Sequence, residues 1–287
     1  MRGYRVLWSN AVISVAASGC VLRSWCMSHH GGPNAELPWV FALGIGAATW
    51  LAYTWQRHVK STRSHGLRPA HLQWFNAHKH TFRWVGIFML PFAFLPLVRT
   101  AALAGGSQSS ALLLIAGLCV AGLLTLLYAG LPGEKGLKLA LRRLPRLKLL
   151  WIGLTWSVIT ALWPAVLDAN SAAMESGDLY LVALERALVI MALTLPFDLR
   201  DRNWDPPFMK TLPQQWGTRG TRIAAVVMLI AATAASAIAT QGSLEFGFGP
   251  LIMIPLVAWA SDQRPPLYYA LLDATLILDA AMVLALS

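Results

Sequence analysis

Long apolar runs dominate the chain. In a bilayer, where each backbone N–H and C=O must find a partner inside the protein, such runs have one workable structure, the α-helix. Nine can be drawn: Val6 to Leu22, Leu37 to Trp55, Trp84 to Leu103, Ala111 to Tyr128, Leu149 to Leu167, Leu179 to Phe197, Ile223 to Ala239, Phe246 to Ala260 and Leu267 to Leu286. Several are shorter than the roughly 20 residues of a spanning helix, so their ends must reach into flanking polar residues or the helices must tilt little. The composition points the same way, with 56% hydrophobic residues, 13% charged residues and a mean hydropathy of +0.55. The expectation is an all-α polytopic membrane protein of nine transmembrane helices, with residues 1–287 as a single integral membrane domain.

A formal net charge of +10 would suggest nucleic acid in a soluble protein, but here the placement of the charge decides. If the N-terminus is cytoplasmic and loops alternate, all but Arg23, Arg99 and Arg186 of the 23 Lys and Arg residues fall on one side. The opposite loops carry Glu36, Asp168, Glu175, Asp178 and Glu245. This is the positive-inside pattern, and losing or adding an interior helix would invert every later loop. It favours anionic membrane lipids as partners and no nucleic acid, with the chain in the bacterial cytoplasmic (inner) membrane and its C-terminus on the far side. The first run follows Arg2 and Arg5 without a small-x-small cleavage site, and reads as a spanning helix rather than a signal peptide.

Cys20, Cys26 and Cys119 have no metal-ligand spacing and read as apolar filler. Pro91, Pro96, Pro164, Pro196, Pro250 and Pro255 should kink helices, while Gly44, Gly46, Ala47, Ala48 and the run from Ala231 to Ala239 should let helices approach closely. The sixth run carries Glu185 and Arg186 near its middle. Ionisable groups at that depth must pair or face a wet cavity, so this helix is expected to face the bundle interior.

The same run ends in Leu195-Pro196-Phe197-Asp198-Leu199-Arg200-Asp201-Arg202-Asn203-Trp204-Asp205. On a continuing helix, offsets of three and seven would place Asp198, Asp201 and Asp205 within one narrow arc, where a divalent cation could be held. Acids where a helix meets water are also common without any ligand. Pro206 and Pro207 stop the helix, and Lys210-Thr211-Leu212-Pro213 follows, with a lysine near enough to contact a terminal phosphate whose other oxygens reach the acids through Mg2+.

This string, with Lys210-Thr211-Leu212-Pro213 behind it, resembles the second aspartate motif of the UbiA superfamily of intramembrane prenyltransferases. Tyr128, Arg142-Arg143-Leu144-Pro145-Arg146-Leu147-Lys148, Trp156 and Pro164 look like that family's fourth-to-fifth helix connection. Tyr268-Tyr269-Ala270-Leu271-Leu272-Asp273 is similar to its C-terminal pattern. The resemblance covers most of the chain from about Tyr128 onward. It implies a nine-transmembrane-helix UbiA-like bundle that moves an isoprenoid group from its diphosphate to a lipid-soluble acceptor, aromatic or quinone-type. By the same resemblance Asp201 and Asp205 are the catalytic, Mg2+-holding residues, with Asp198 a further metal candidate. Lys210 and Arg200 would contact the diphosphate. Cation-stabilising aromatic faces are also implied, but Trp at membrane interfaces is so usual that none of the 13 tryptophans is singled out.

The family's first motif, Asn-Asp-x-x-Asp-x-x-x-Asp, has no counterpart. Its place reads Tyr53-Thr54-Trp55-Gln56-Arg57-His58-Val59-Lys60, and no Asp or Glu occurs between Glu36 and Glu134. Either Arg57 and Lys60, with Arg63, Arg68 or nearby histidines, bind phosphate directly and a single Mg2+ suffices, or transfer chemistry has been lost. In the second case the chain is a non-catalytic scaffold that binds an isoprenoid lipid, a quinone or a carotenoid, or serves as a subunit of a membrane complex. A transporter using Glu185, Arg186 and Asp273 is a third reading. His58, His65, His71, His78 and His80 lack the Cys, Asp or Glu neighbours of a zinc site and read as a solvated face. Asp273 and Asp279, six residues apart, cannot share a helix face and are expected to cap or to pair with buried tyrosine or arginine.

Overall fold

The structure is a computed structural model that describes residues 4–29, 38–61, 75, 77–98, 108–130, 147–164, 176–203, 207, 210–242 and 244–286. Among these residues there are nine helices and no strand: α1 (Tyr4–His29), α2 (Trp39–Ser61), α3 (Lys79–Ala93), α4 (Gln108–Ala129), α5 (Lys148–Ser157, continued by a π-helical turn Val158–Leu162), α6 (Ser176–Asp201), α7 (Leu212–Ala239), α8 (Leu244–Ala258) and α9 (Pro266–Leu286). They match the nine apolar runs in order, and α1, α2, α6 and α7 extend a turn or more beyond theirs. Lys79–Val98, Asp178–Asp201, Leu212–Ala239 and Leu267–Leu286 are each long and apolar enough to cross a membrane, and Ile115–Ala129, Lys148–Leu162 and Gly247–Ala258 are shorter apolar helices. The chain is an integral membrane protein.

α6 is the buried axis of the bundle and packs against α5, α7 and the π-helical turn. From Val182 to Leu199 only Leu184 is exposed, because nearly every face of this helix meets protein rather than lipid. By contrast α3 lies at the periphery, with Trp84, Ile87, Phe88 and Leu90 exposed as lipid-facing side chains. Small residues set the close approaches. A Cβ on Gly44 would collide with the Pro96 ring of the α3 segment, and one on Gly46 with Ser18 and the Ser14 carbonyl of α1. Side-chain hydrogen bonds tie neighbours where lipid offers none: Ser18 Oγ donates to Ala42 O at 2.8 Å, Asn10 Nδ2 to Thr54 Oγ1 at 3.2 Å, and Ser157 Oγ to Ala183 O at 2.5 Å.

Two sequence expectations change. Arg23 is not a loop cation, since α1 continues to His29 and carries it inside the bundle with 0% exposure. Its Nη2 lies 3.1 Å from Glu185 Oε1 of α6 and its Nε 2.8 Å from Asp279 Oδ2 of α9. The helix extends because a buried partner pair compensates the charge, which an apolar-run count does not register. The second change concerns the acidic stretch: α6 ends at Asp201 and Arg202 and Asn203 form a turn, so the face shared by Asp198 and Asp201 is not carried by helix to Asp205. Asp205 itself lies outside the described residues, as do Trp204, Pro206, His65 and His71.

Glu185 and Arg186 do face the interior, both at 0% exposure. Arg186 Nη1 donates to Cys20 Sγ at 3.2 Å, which makes that cysteine an acceptor inside the bundle rather than simple filler. Cys26 is also buried, and Cys119 is exposed.

Candidate functional site

Three helices bring chemistry-bearing side chains to one end of the bundle, each from residues within about one helical turn. α2 supplies Tyr53 and Arg57, α6 supplies Phe197, Arg200 and Asp201, and α9 supplies Tyr269 and Asp273. Arg57 lies within Coulombic reach of Tyr53, Arg200 and Asp273. Asp273 in turn is flanked by Arg200 and Arg57. So the position that the missing acidic motif would occupy on α2 carries a guanidinium, and a carboxylate within its Coulombic reach, Asp273, comes from the last helix.

Arg200 is the best-defined member. Its Nε and Nη2 donate to Asp201 Oδ1 and Oδ2 at 2.7 and 3.0 Å, a two-pronged contact between sequence neighbours. The guanidinium also lies 4.7 Å from the Tyr269 ring centroid and 5.3 Å from that of Phe197, and those two rings are 5.3 Å apart. An arginine stacked on rings keeps its plane fixed, which orients its remaining N–H groups. Tyr269 is held in turn by its hydroxyl, which donates to Ser261 O at 3.1 Å, while Tyr268 donates to Leu256 O at 2.6 Å. The Tyr-Tyr pair at the start of α9 thus clamps the α8–α9 connection and presents one ring to Arg200.

The other candidates are placed as follows. Asp198 is buried and its Oδ1 lies 2.6 Å from Lys148 Nζ at the start of α5. Lys210 is exposed in the α6–α7 connection with a left-handed backbone (φ 46°), and its carbonyl accepts from the Gln215 side chain. The residues after it explain themselves as a helix start: the Thr211 N–H donates to Gln214 Oε1 at 3.0 Å, and Pro213 sits in the first turn, where its missing N–H costs nothing. Lys60 belongs to the last turn of α2, and its side chain lies outside the described residues.

A cavity of about 150 Å³ opens between α2, α4 and α5, lined by Thr49, Tyr53, Tyr128, Trp151, Thr155 and Trp156 among others. Tyr53 joins it to the charged cluster, since this side chain lines the cavity and neighbours Arg57, Asp273 and Tyr128. The lining runs along α2 from Gln56 to Ile45, about 16 Å at the helical rise. Such a space suits an elongated apolar chain with a polar head at Tyr53.

Among the described residues no three His, Cys, Asp or Glu side chains come together as a metal site. Asp198 and Asp201 each face a cation instead, and Mg2+ needs a near-octahedral set of free oxygens. Asp205, the third acid of the stretch, lies outside the described residues, so the described donors are two carboxylates that already bind cations.

The described residues thus form a nine-helix intramembrane bundle with a charged cluster beside an aromatic-lined cavity. The fold is that of the UbiA homologues. The apo structure of a UbiA homolog from Aeropyrum pernix K1 superposes with a TM-score of 0.63 at 14% identity, covering 96% of this chain and 97% of that one. A UbiA homolog from Archaeoglobus fulgidus bound to GPP and Mg2+ gives 0.56 at 13% identity, covering 97% and 98%, and a UbiA homolog from Archaeoglobus fulgidus bound to DMAPP and Mg2+ gives 0.55 at 14%, again covering 97% and 98%. No family model matches the sequence, and no curated protein does.

Sequence reasoning missed Tyr53 and Tyr269 and left Asp273 outside the site. The signal was present in the spacing: Tyr53 with Arg57, and Tyr269 with Asp273, each repeat an aromatic four residues before a charge near a helix end.

Proposed function

We propose that the chain binds an isoprenoid diphosphate, with the apolar chain in the α2–α4–α5 cavity and the diphosphate at Arg57 and Arg200, and transfers the isoprenoid group to a lipid-soluble acceptor of aromatic or quinone type. The observation that carries this reading is the convergence of Arg57, Arg200 and Asp273 at the Tyr53 end of the cavity. A phosphate group would replace Asp201 as the partner of Arg200, exchanging one charge-assisted contact for another. The allylic C–O bond then breaks with its electron pair leaving on the diphosphate, which the guanidiniums stabilise. The rings of Tyr53, Tyr128, Trp151 and Trp156 face the developing cation and keep water away until the acceptor attacks and loses a proton. The basic loops support a cytoplasmic site, with the N-terminus inside, the C-terminus on the opposite side and the bacterial cytoplasmic membrane as location.

The test is binding of geranyl diphosphate to the purified full chain, with Mg2+ and with EDTA. Binding should survive EDTA, and Arg57→Gln should weaken it about tenfold or more, the loss expected for hydrogen bonds to a charged group. Unchanged affinity in the variant would sink this reading. A second reading has its own support in the engagement of Asp198 with Lys148 and of Asp201 with Arg200, which leaves the described acids committed to cations. In that case the same cavity holds an isoprenoid lipid without turnover. Diphosphate release from geranyl diphosphate in the presence of an acceptor separates the two.

A further inference from the structure

On the other side of α2 a second groove, of about 800 Å³, runs between α2 and α3. Its rim carries His58 from α2 and Lys79, His80 and Arg83 from α3, all exposed. Its floor is apolar, with Leu51, Phe82, Ile87 and Leu90. There is open space beside Gly86, where a Cβ would meet only Leu51 Cδ2, at 3.6 Å. From Lys79 to Leu90 the groove follows α3 for about 16 Å, close to the ~15 Å half-thickness of a bilayer's hydrocarbon core.

The rim charges are arranged against their own helix. Lys79 and Arg83 are a like-charged pair one turn apart, at the helix N-terminus where the backbone dipole disfavours cations. Neither α2 nor α3 carries an acidic residue. An anion at the rim would relieve both penalties, and an apolar tail of single-leaflet length would fill the floor.

We infer that the α2–α3 groove is a binding site for an anionic phospholipid, with its headgroup phosphate among Lys79, Arg83, His58 and His80 and an acyl chain along Leu51, Phe82, Ile87 and Leu90. The site lies on the opposite face of α2 from the Tyr53 cavity and does not depend on the proposed transfer activity. It would hold a lipid of the leaflet at the basic end of the bundle. Each rim cation contributes the attraction of a basic side chain for an anionic membrane surface.

Native mass spectrometry of the full chain in detergent, titrated with phosphatidylglycerol or phosphatidylcholine of the same acyl composition, tests this. The protein should retain phosphatidylglycerol in preference to phosphatidylcholine. Lys79→Gln with Arg83→Gln should weaken phosphatidylglycerol binding roughly thirtyfold, the effect of removing two interfacial cations. Gly86→Leu, which fills the floor and leaves the charges in place, should weaken it as well. Equal retention of the two lipids, or wild-type retention in both variants, would overturn the inference. Geranyl diphosphate should not displace the bound lipid; displacement would assign the groove to a soluble diphosphate instead.

Discussion

Replacing Arg23 with Met removes the centre of a buried ionic network and leaves Glu185 and Asp279 facing each other within the bundle. Arg23 is 2.8 Å from Asp279 and 3.1 Å from Glu185, so at an effective dielectric of about 20 each contact is worth about 5–6 kcal/mol before desolvation. Keeping the guanidinium out of water offsets several kcal/mol of that total. Arg186 cannot take over, because its Nη2 is 4.0 Å from Glu185 Oε2 and Asp279 is bound from the α1 side. The net loss should be about 3–5 kcal/mol, the range for breaking a buried pair by removing one partner. Reversible unfolding in mixed micelles, followed by circular dichroism as denaturing detergent is raised, reads this loss. The double variant Arg23→Met, Asp279→Asn should recover at least half of it, since the buried charges that remain, Glu185 and Arg186, are opposite and 4.0 Å apart. A single variant within about 1 kcal/mol of wild type, the range of an exposed pair, would refute the reasoning, as would a double variant no more stable than the single one.

Further outcomes follow from the same geometry. Lys148→Met removes the short contact to buried Asp198 and should lower stability by about 1–3 kcal/mol in the same assay; added Mg2+ should not restore it. Gly44→Ala forces a Cβ against Pro96, and the α2–α3 contact should open at a cost of about 1–3 kcal/mol, visible as faster hydrogen exchange in α3.

The nine helices were legible because hydrocarbon permits few alternatives. An apolar run of nearly bilayer length must form a helix, and alternating basic loops fix the count. Helix ends were less legible. Arg23 looked like a loop residue because its compensation comes from α6 and α9, more than 150 positions away, and no local signal records that. The acidic stretch shows the opposite case: its local period holds from Asp198 to Asp201, and α6 turns at Arg202 and Asn203, beyond which a helical period no longer predicts a shared face. The intervening string Lys210-Thr211-Leu212-Pro213 carried two messages, and only the capping of α7 is visible in its geometry. The small-residue expectation held at Gly44 and Gly46, where backbone approach leaves no room for a side chain.

What the amino-acid order alone determined is the membrane class, the nine-helix architecture and the absence of an acidic motif on α2, because each follows from one-dimensional patterns of hydropathy and charge. Tertiary structure decided which charges meet. It placed Arg57 beside Arg200 and Asp273, committed Asp198 to Lys148, stacked Arg200 on Tyr269 and buried Arg23 between two carboxylates. Those pairings depend on how α1, α2, α5, α6 and α9 are rotated against one another, and packing between helices sets that rotation.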